Sequence, residues 1–271
     1  METQPTVNQP RHVLITGAAG RMGSCLRELL PAHGYRLRSF DRLPVPGEPE
    51  AVVADLRDTE ALAAAMDGVD AVVHLAGIPG EAPFADILAA NIDGTYRLYE
   101  AARAAGVRRV VYASSNHATG FTERPADGSS VPVDAPARPD TYYGVSKCFG
   151  ESLASLYADR HGIETVSLRI GSFTPEPRSV RMLSTWLSPA DWARLAHAAL
   201  TGPVAGGHTV VYGISANTRA WWDLSSARAL GYRPQDDAEA YAPELIAKFG
   251  ELPADDPEFR YLGGSFTQSG R

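Results

Sequence analysis

Tyr143 and Lys147 are spaced so that they could act as an acid–base pair. On a helix, side chains four residues apart share one face about 5 to 6 Å from each other, so the lysine ammonium would lie beside the phenol. A phenol with a pKa near 10 must drop by about three pH units to act as a base at neutral pH, which costs roughly 4 kcal/mol. The charge of Lys147 is one source of that energy. Tyr142 would lie about 140° round the helix from Lys147, so we predict that Tyr143 is the base.

Ser114 and Ser115 directly follow a predicted strand at 109–113. In a doubly wound sheet, ligands bind at the carboxyl ends of the strands. A serine hydroxyl there can hydrogen-bond the substrate oxygen while that oxygen loses its proton. We therefore predict that Ser115 joins Tyr143 and Lys147 in catalysis and that Ser114 lies against a cofactor.

A glycine-rich loop with the spacing GxxGxxG, formed by Gly17, Gly20 and Gly23, lies between a predicted strand and a predicted helix. Glycines at these places permit the turn, let the backbone approach a pyrophosphate and seat the helix against the sheet. The helix N-terminus adds N–H groups and positive potential. The sequence therefore predicts a dinucleotide site that also includes Arg21 and Met22.

Acidic residues at the ends of the next two predicted strands indicate which dinucleotide would bind. Asp41 comes 18 residues after Gly23, where a carboxylate accepts hydrogen bonds from the adenosine ribose and repels a 2′-phosphate, which favours NAD over NADP. Arg42 could pair with such a phosphate, so some use of NADP stays open. Asp55 and Leu56 are placed to meet the adenine, although Asp55 could instead cap the following helix.

The segment Leu75, Ala76 and Gly77 follows the fourth predicted strand. Its small side chains leave room for a cofactor that runs along it. The positive nicotinamide ring of NAD would be a second source of the energy that lowers the pKa of Tyr143.

Strands and helices alternate along the first 170 residues, which predicts a parallel sheet because parallel neighbours need crossover connections. The expected fold is α/β, a Rossmann-type doubly wound parallel sheet with a small C-terminal substrate-binding region. Residues 1–171 would form the NAD-binding domain with the Tyr/Lys helix, and residues 172–271 a smaller region integrated with the same domain. The predicted strands are 12–16, 35–40, 51–54, 71–74, 109–113, 164–170 and 208–212, and the predicted helices 22–30, 59–66, 84–105, 142–161 and 189–200.

Composition excludes several classes of function. The formal net charge is −7 and no lysine or arginine block is present, which argues against a nucleic-acid partner. The two cysteines have no CxxC or Cys/His cluster around them, so neither a metal site nor a disulfide framework is expected. Residues 1–11 lack the pattern of a signal peptide, and no apolar run reaches about 18 residues. We expect a soluble cytoplasmic protein without a membrane partner.

With the glycine loop, Asp41, Ser115, Tyr143 and Lys147 in this order, the chain resembles the extended short-chain dehydrogenase/reductase family. Within that family, several motifs are similar to those of the uronate dehydrogenases, and the likeness spans almost the whole chain. These motifs are Ser114-Ser-Asn-His117, Tyr143-Gly-Val-Ser-Lys-Cys-Phe-Gly-Glu151, Arg169-Ile-Gly-Ser172, Thr174-Pro-Glu-Pro177, Arg181-Met-Leu-Ser-Thr-Trp186 and Trp221-Trp222-Asp223.

The resemblance implies an enzyme that uses NAD to oxidise the anomeric C1 hydroxyl of a hexuronic acid, galacturonate or glucuronate, to an aldarolactone. Tyr143 would take the proton, Lys147 would lower the pKa of that tyrosine and Ser115 would orient the oxygen. Arg181 would bind the substrate carboxylate, because its planar fork can hold a carboxylate bidentately. The remaining implied contacts are Asn91 to the cofactor and Asn116, His117 and Ser172 to the sugar.

One position departs from the family pattern. After Ala76-Gly77-Ile78 the family usually carries a serine that touches substrate, and this chain has Pro79. The two long predicted helices, 84–105 and 142–161, resemble those that pair in dimers of this family, so a homo-oligomer is expected.

Two other functions fit part of the pattern. A nucleotide-sugar epimerase or dehydratase uses the same fold and the same Tyr/Lys pair, but such relatives usually have a longer C-terminal domain than the hundred or so residues after Gly171. A non-catalytic NAD sensor of the same fold typically lacks the tyrosine or the lysine, and this chain has both.

Overall fold

Helices cover both faces of a parallel sheet, so its strands are apolar throughout. Short runs rich in valine and isoleucine form such strands in this chain. The computed structural model describes residues 11–269. Its strands are β1 (His12–Thr16), β2 (Arg36–Asp41), β3 (Val52–Val53), β4 (Ala71–His74), β5 (Arg109–Ser115), β6 (Glu164–Ile170), β7 (Ser172–Phe173), β8 (Trp186–Leu187) and β9 (His208–Gly213). Seven of them form one parallel sheet in the order β3-β2-β1-β4-β5-β6-β9. The predicted α/β Rossmann-type fold is confirmed.

Several of the helices begin where a side chain can accept hydrogen bonds from their first free N–H groups. Asp58, Thr141 and Ser188 cap α2, α5 and α7 in this way, and Gly162, with φ of +67°, ends α5. The helices are α1 (Arg21–Leu29), α2 (Thr59–Met66), α3 (Phe84–Ile87), α4 (Gly94–Ala104), α5 (Tyr142–His161), α6 (Met182–Thr185), α7 (Pro189–Thr201), α8 (Ser225–Ala229), α9 (Ala242–Phe249) and α10 (Pro257–Arg260).

Alternate residues of each strand feed two apolar cores, one on each face of the sheet. In β1, Val13 and Ile15 belong to the core shared with α1 and α7, while Leu14 belongs to the core shared with α2, α4 and α5. Two smaller clusters lie in the C-terminal part of the chain, and one of them buries Trp221 and Trp222. The tryptophans are therefore core residues.

Three elements differ from the sequence prediction. The predicted helix at 84–105 contains a π-helical segment, Leu88–Asp93, between α3 and α4. Strand β5 is longer than predicted and includes both Ser114 and Ser115. Strand β9 pairs with β6 at the edge of the main sheet, so residues after 171 contribute to the sheet as well as to the smaller clusters. The division of the chain at residue 171 stays a prediction.

Within residues 11–269, no helix is long and apolar enough to cross a membrane. The first ten residues, on which the prediction of no signal peptide rests, lie outside the described residues. The cytoplasmic location stays a prediction.

Candidate active site

The carboxyl ends of the central strands open into a cleft of about 570 Å³. The glycine loop forms one end of it, and the start of α5 forms the other. All but one of the predicted cofactor-binding residues and all three predicted catalytic residues line it: Gly17, Gly20, Arg21, Met22, Gly23, Asp41, Asp55, Leu56, Leu75, Ala76, Gly77, Ser114, Ser115, Tyr143 and Lys147.

The glycine loop leaves no space for side chains at its first and last glycines. Gly17 has φ of +74°, and a Cβ there would come within 2.7 Å of the Ala76 backbone nitrogen. A Cβ at Gly23 would come within 2.4 Å of the Gly17 carbonyl oxygen. Gly20 precedes α1 without a side-chain cap, and the first residues of the helix line the cleft, where their N–H groups can meet an anion. The residues present therefore fit the pyrophosphate of NAD.

Asp41 lies beside this loop with both carboxylate oxygens engaged by backbone. The N–H of Ala19 donates to Oδ2 at 2.9 Å and that of Leu43 to Oδ1 at 2.9 Å. Each oxygen keeps a second lone pair for a ribose hydroxyl. Arg42 also lines the cleft, with its side chain exposed.

Asp55 does not cap the helix that follows it. Asp58 caps α2 instead, so the capping alternative for Asp55 is wrong. Asp55 forms an exposed ion pair with Arg57 at 2.8 Å, and the guanidinium lowers the pKa of Asp55 through its hydrogen bond. The carboxylate remains at the wall of the cleft.

Lys147 is buried at the end of the cleft opposite the glycine loop. Its Nζ donates a hydrogen bond to the Ala113 carbonyl at 2.7 Å and lies 5.2 Å from the ring centre of Tyr143. Burial lowers the pKa of Lys147 to about 8, opposed by the negative charge of Glu151. The ammonium is thus fixed beside the phenol, as the spacing predicted.

The phenol of Tyr143 is buried, and burial raises its pKa to about 12. The Ser115 side chain lowers this pKa, and the charge of Asp140 raises it. The sequence predicted that Lys147 lowers the pKa of Tyr143. In the protein without a cofactor the net shift of this pKa is upward, because the cost of removing water from the phenolate is larger.

Glu151 on α5 connects β5 to β6, and the sequence analysis gave it no role. It accepts hydrogen bonds from Ser114 Oγ at 2.5 Å and from Arg169 at 2.9 and 2.8 Å. Glu151 and Arg169 are both buried, so each charge is balanced by the other instead of by water. Glu151 follows Lys147 by four residues on α5, and that spacing was the available signal.

Asn91 is a predicted cofactor-binding residue that does not line the cleft. Its Oδ1 accepts the Ile78 N–H at 2.8 Å, and its Nδ2 donates to Ser146 Oγ at 3.1 Å. It lies in the π-helical segment. In the structure it joins the Gly77–Pro79 wall to α5, next to Tyr143.

Asn116, His117 and Ser172, three of the predicted sugar-binding residues, are not among the residues that line this cleft. Asn116 Nδ2 donates to the Leu262 carbonyl at 2.6 Å, and the Ser172 hydroxyl hydrogen-bonds Thr185 Oγ1 at 2.9 Å. His117 packs its ring edge-on to the ring of Tyr143, with the centres 5.8 Å apart.

Arg181 is held by the last described segment of the chain. Its guanidinium donates to the carbonyls of Glu258, Tyr261 and Leu262, and Nε lies 3.2 Å from Glu258 Oε2. Burial lowers the pKa of Arg181, and the charges of Glu258 and Asp140 raise it. The structure therefore places this arginine near the His117 side of the site but away from the wall of the cleft.

Residues 13–191 match the model of the NAD dependent epimerase/dehydratase family. The chain belongs to this family. It is 47% identical to a curated uronate dehydrogenase of Pseudomonas syringae pv. tomato, over all of this chain and 98% of that protein. The family match includes the glycine loop, Tyr143 and Lys147 and ends before the segment that holds Arg181.

Solved structures of the epimerase/dehydratase family agree with the fold. The crystal structure of uronate dehydrogenase from Agrobacterium tumefaciens has a TM-score of 0.88 and 46% identity, covering 96% of this chain and 97% of that one. A mutant of that enzyme complexed with NAD has a TM-score of 0.88 and 45% identity, with coverage of 96% and 97%. The family and these relatives confirm the predicted family, NAD as the cofactor and an NAD-dependent oxidoreductase.

Proposed function

We propose that this chain oxidises the anomeric C1 hydroxyl of a hexuronic acid with NAD and forms an aldarolactone. One observation carries the proposal: Ser115, Tyr143 and Lys147 line the same cleft as the glycine loop, in a chain 47% identical to a uronate dehydrogenase. A cleft with a dinucleotide cradle at one end and a proton acceptor at the other suits hydride removal from a carbon that bears a hydroxyl.

The side chains divide the chemistry between them. When bound, NAD supplies a hydride acceptor and a positive charge at its nicotinamide ring. The phenol oxygen of Tyr143 takes the proton from the C1 hydroxyl, and Ser115, whose side chain lowers the pKa of that phenol, orients the same hydroxyl. Lys147, anchored on the Ala113 carbonyl, keeps a positive charge beside the phenol and opposes its reprotonation.

We assign the substrate carboxylate to Arg181. Its present carboxylate partner is Glu258, whose Oε2 lies 3.2 Å from Nε, so binding would exchange one carboxylate for another. Three of its N–H bonds go to backbone carbonyls of residues 258–262, which hold the guanidinium in place during that exchange. Asn116, His117 and Ser172 are proposed to contact the sugar hydroxyls around it.

Pro79 lines the cleft where the family usually has a serine. Proline has no hydroxyl to offer, so the substrate loses that contact. Arg181 then holds the uronate without help from this position, so the contact with the carboxylate supplies a larger share of the binding energy of the substrate.

The test is a substrate panel with the purified chain. With NAD and galacturonate or glucuronate we expect absorbance of reduced nicotinamide to build up, and proton NMR to show a lactone before the open aldaric acid. Tyr143→Phe should be inactive. Turnover of a UDP-sugar without net reduction of NAD, and no signal with either uronate, would favour an epimerase and contradict the proposal.

We also propose that two copies of the chain pair through α3, α4 and α5. Exposed apolar side chains at helical spacing follow this face: Phe84, Leu88, Tyr96, Tyr142, Val145 and Leu156. Phe84 and Tyr142 already touch across it, with ring centres 5.4 Å apart. Burying such a stripe stabilises association by removing apolar area from water.

Light scattering tests the pairing. Leu156→Glu should yield monomers, while Phe249→Glu, which alters another exposed apolar side chain, on α9, should leave the mass unchanged. A wild-type protein that is monomeric at micromolar concentration would contradict the pairing.

A further inference from the structure

Asp140, which is buried, and His117, which is partly buried, form a pair beside the catalytic phenol. Asp140 Oδ2 lies 2.8 Å from His117 Nδ1, and the Asp140 side chain is fully buried. Its other oxygen, Oδ1, accepts a hydrogen bond from Thr141 Oγ1 at 3.0 Å. Neither the sequence motifs nor the proposed reaction assigns a role to this carboxylate.

Two glycines leave the space that this carboxylate occupies. A Cβ at Gly120 would come within 2.0 Å of Asp140 Oδ2, and a Cβ at Gly263 within 1.8 Å of it. The two glycines lie 143 positions apart in the chain and are joined by a backbone hydrogen bond from Gly263 to Gly120. Any other residue at either position would displace the carboxylate.

The imidazole of His117 is fixed on three sides. Phe266 lies against the ring with a centre-to-centre distance of 4.2 Å, the ring of Tyr143 meets it edge-on at 5.8 Å, and Asp140 holds Nδ1. Within residues 11–269, Nε2 makes no hydrogen bond, and it points away from Asp140 because the two nitrogens lie on opposite sides of the ring. Nδ1 is therefore bound to Asp140, and Nε2 is available to bind a ligand.

The carboxylate decides which nitrogen carries the proton. An ionised aspartate only accepts hydrogen bonds, so Nδ1 must donate, and a neutral imidazole then carries a lone pair on Nε2. We propose that Asp140 is a positioning residue that holds His117 in the Nδ1–H tautomer, so that Nε2 accepts a hydrogen bond from a sugar hydroxyl. The identity of that partner rests on the proposed function, whereas the tautomer does not.

Asp140→Asn should reverse the tautomer. The Thr141 hydroxyl donates to Oδ1 and would keep the amide oxygen on its side, which leaves the amide NH₂ facing His117 Nδ1. That NH₂ is a donor, so Nδ1 must accept and Nε2 must carry the proton. An imidazole oriented by an aspartate loses its function through the wrong tautomer in the same way in catalytic triads.

The first experiment measures the tautomer without substrate. Nitrogen-15 NMR of histidine-labelled protein, with the His117 signals identified by their loss in His117→Ala, should show Nδ1–H in the wild type and Nε2–H in Asp140→Asn. An Nε2–H ring in the wild type, or the same tautomer in both proteins, overturns the proposal. Because no uronate is present, failure of the proposed activity cannot be mistaken for failure here.

The second experiment is a double-mutant cycle on the KM for uronate. Asp140→Asn should raise this KM about tenfold, the effect of one lost hydrogen bond, with little change in the KM for NAD. In a His117→Ala background the same substitution should change the KM less than twofold. An equal rise in both backgrounds would show that Asp140 acts independently of His117 and would overturn the proposal.

A buried carboxylate elsewhere supplies the matched control. Asp191 is fully buried and accepts backbone N–H bonds from Gln235 and Asp236. Asp191→Asn should lower the melting temperature and leave the KM for uronate unchanged. A tenfold rise in KM in this control would mean that a general loss of stability explains the Asp140 result, which would overturn the proposal.

Discussion

Replacing Asp41 by asparagine isolates the charge that selects the dinucleotide. The substitution keeps the shape of the side chain but leaves one oxygen where the carboxylate had two. Both carboxylate oxygens accept a backbone N–H, from Ala19 and Leu43, at 2.9 Å each. In the variant, one of those N–H groups must face an NH₂ group and lose its acceptor.

The expected size of the effect follows from these contacts. A hydrogen bond to a charged acceptor contributes about 1.5 to 3 kcal/mol. Losing one such bond within the protein lowers the free energy of unfolding by about that amount. Losing one to the adenosine ribose raises the KM for NAD by about 10-fold to 150-fold. The KM for NADP should fall, because the carboxylate no longer repels a 2′-phosphate and Arg42 lines the same cleft.

The assay compares kcat/KM for NAD and NADP at saturating uronate, with thermal melts of each protein. Asp70 supplies a control outside the cleft, because its Oδ2 accepts two backbone N–H groups, from Arg11 and His12 at 2.8 and 2.9 Å. Asp70→Asn removes a charge of the same sign and should leave the preference between the cofactors unchanged. If Asp41→Asn changes that preference no more than Asp70→Asn does, Asp41 does not select the cofactor.

Three further predictions concern the catalytic helix. Tyr143→Phe should abolish turnover but leave NAD binding by fluorescence titration within about twofold; substantial residual rate would show that the base is another group. Burial lowers the pKa of Lys147 to about 8, so the folded state holds this proton less tightly than the unfolded state. The wild type should therefore gain up to about 3 kcal/mol of stability relative to Lys147→Met as the pH rises from 8 to 10.5 in denaturant titrations; no gain would contradict the buried ammonium. Gly150→Ala should cost about 1 to 3 kcal/mol in the same titrations, because its Cβ would come within 2.3 Å of the Tyr112 ring, and an unchanged midpoint would refute that contact.

Local patterns predicted most of the frame that positions the site. The glycine spacing, the alternation of strands and helices and the i,i+4 pair each depend on neighbours within a few residues, and the helix Tyr142–His161 has the predicted bounds. The π-helical segment at Leu88–Asp93 was out of reach, because one extra residue in a turn leaves no separate signal in the hydrophobic pattern.

Long-range contacts account for what the sequence did not predict. Arg181 is bound by carbonyls 77 to 81 positions later in the chain, and the His117–Asp140 pair crosses a loop of 23 positions. An arginine that holds a chain segment and one that holds a substrate look identical in sequence. Only the fold shows that Arg181 already has a carboxylate partner.

The pKa of Tyr143 indicates when this site can act as a base. Burial raises it to about 12, and bringing it to 7 requires about 7 kcal/mol of stabilisation of the phenolate. Lys147 lies beside the ring, but its charge does not offset burial, and Asp140 opposes ionisation. The residues of the chain therefore position the phenol without ionising it, and deprotonation depends on the further positive charge of the bound cofactor. In the NAD-free protein, the phenolate absorbance of wild type minus Tyr143→Phe should stay flat below about pH 10. A titration near pH 7 in that difference would show that the protein alone activates the base.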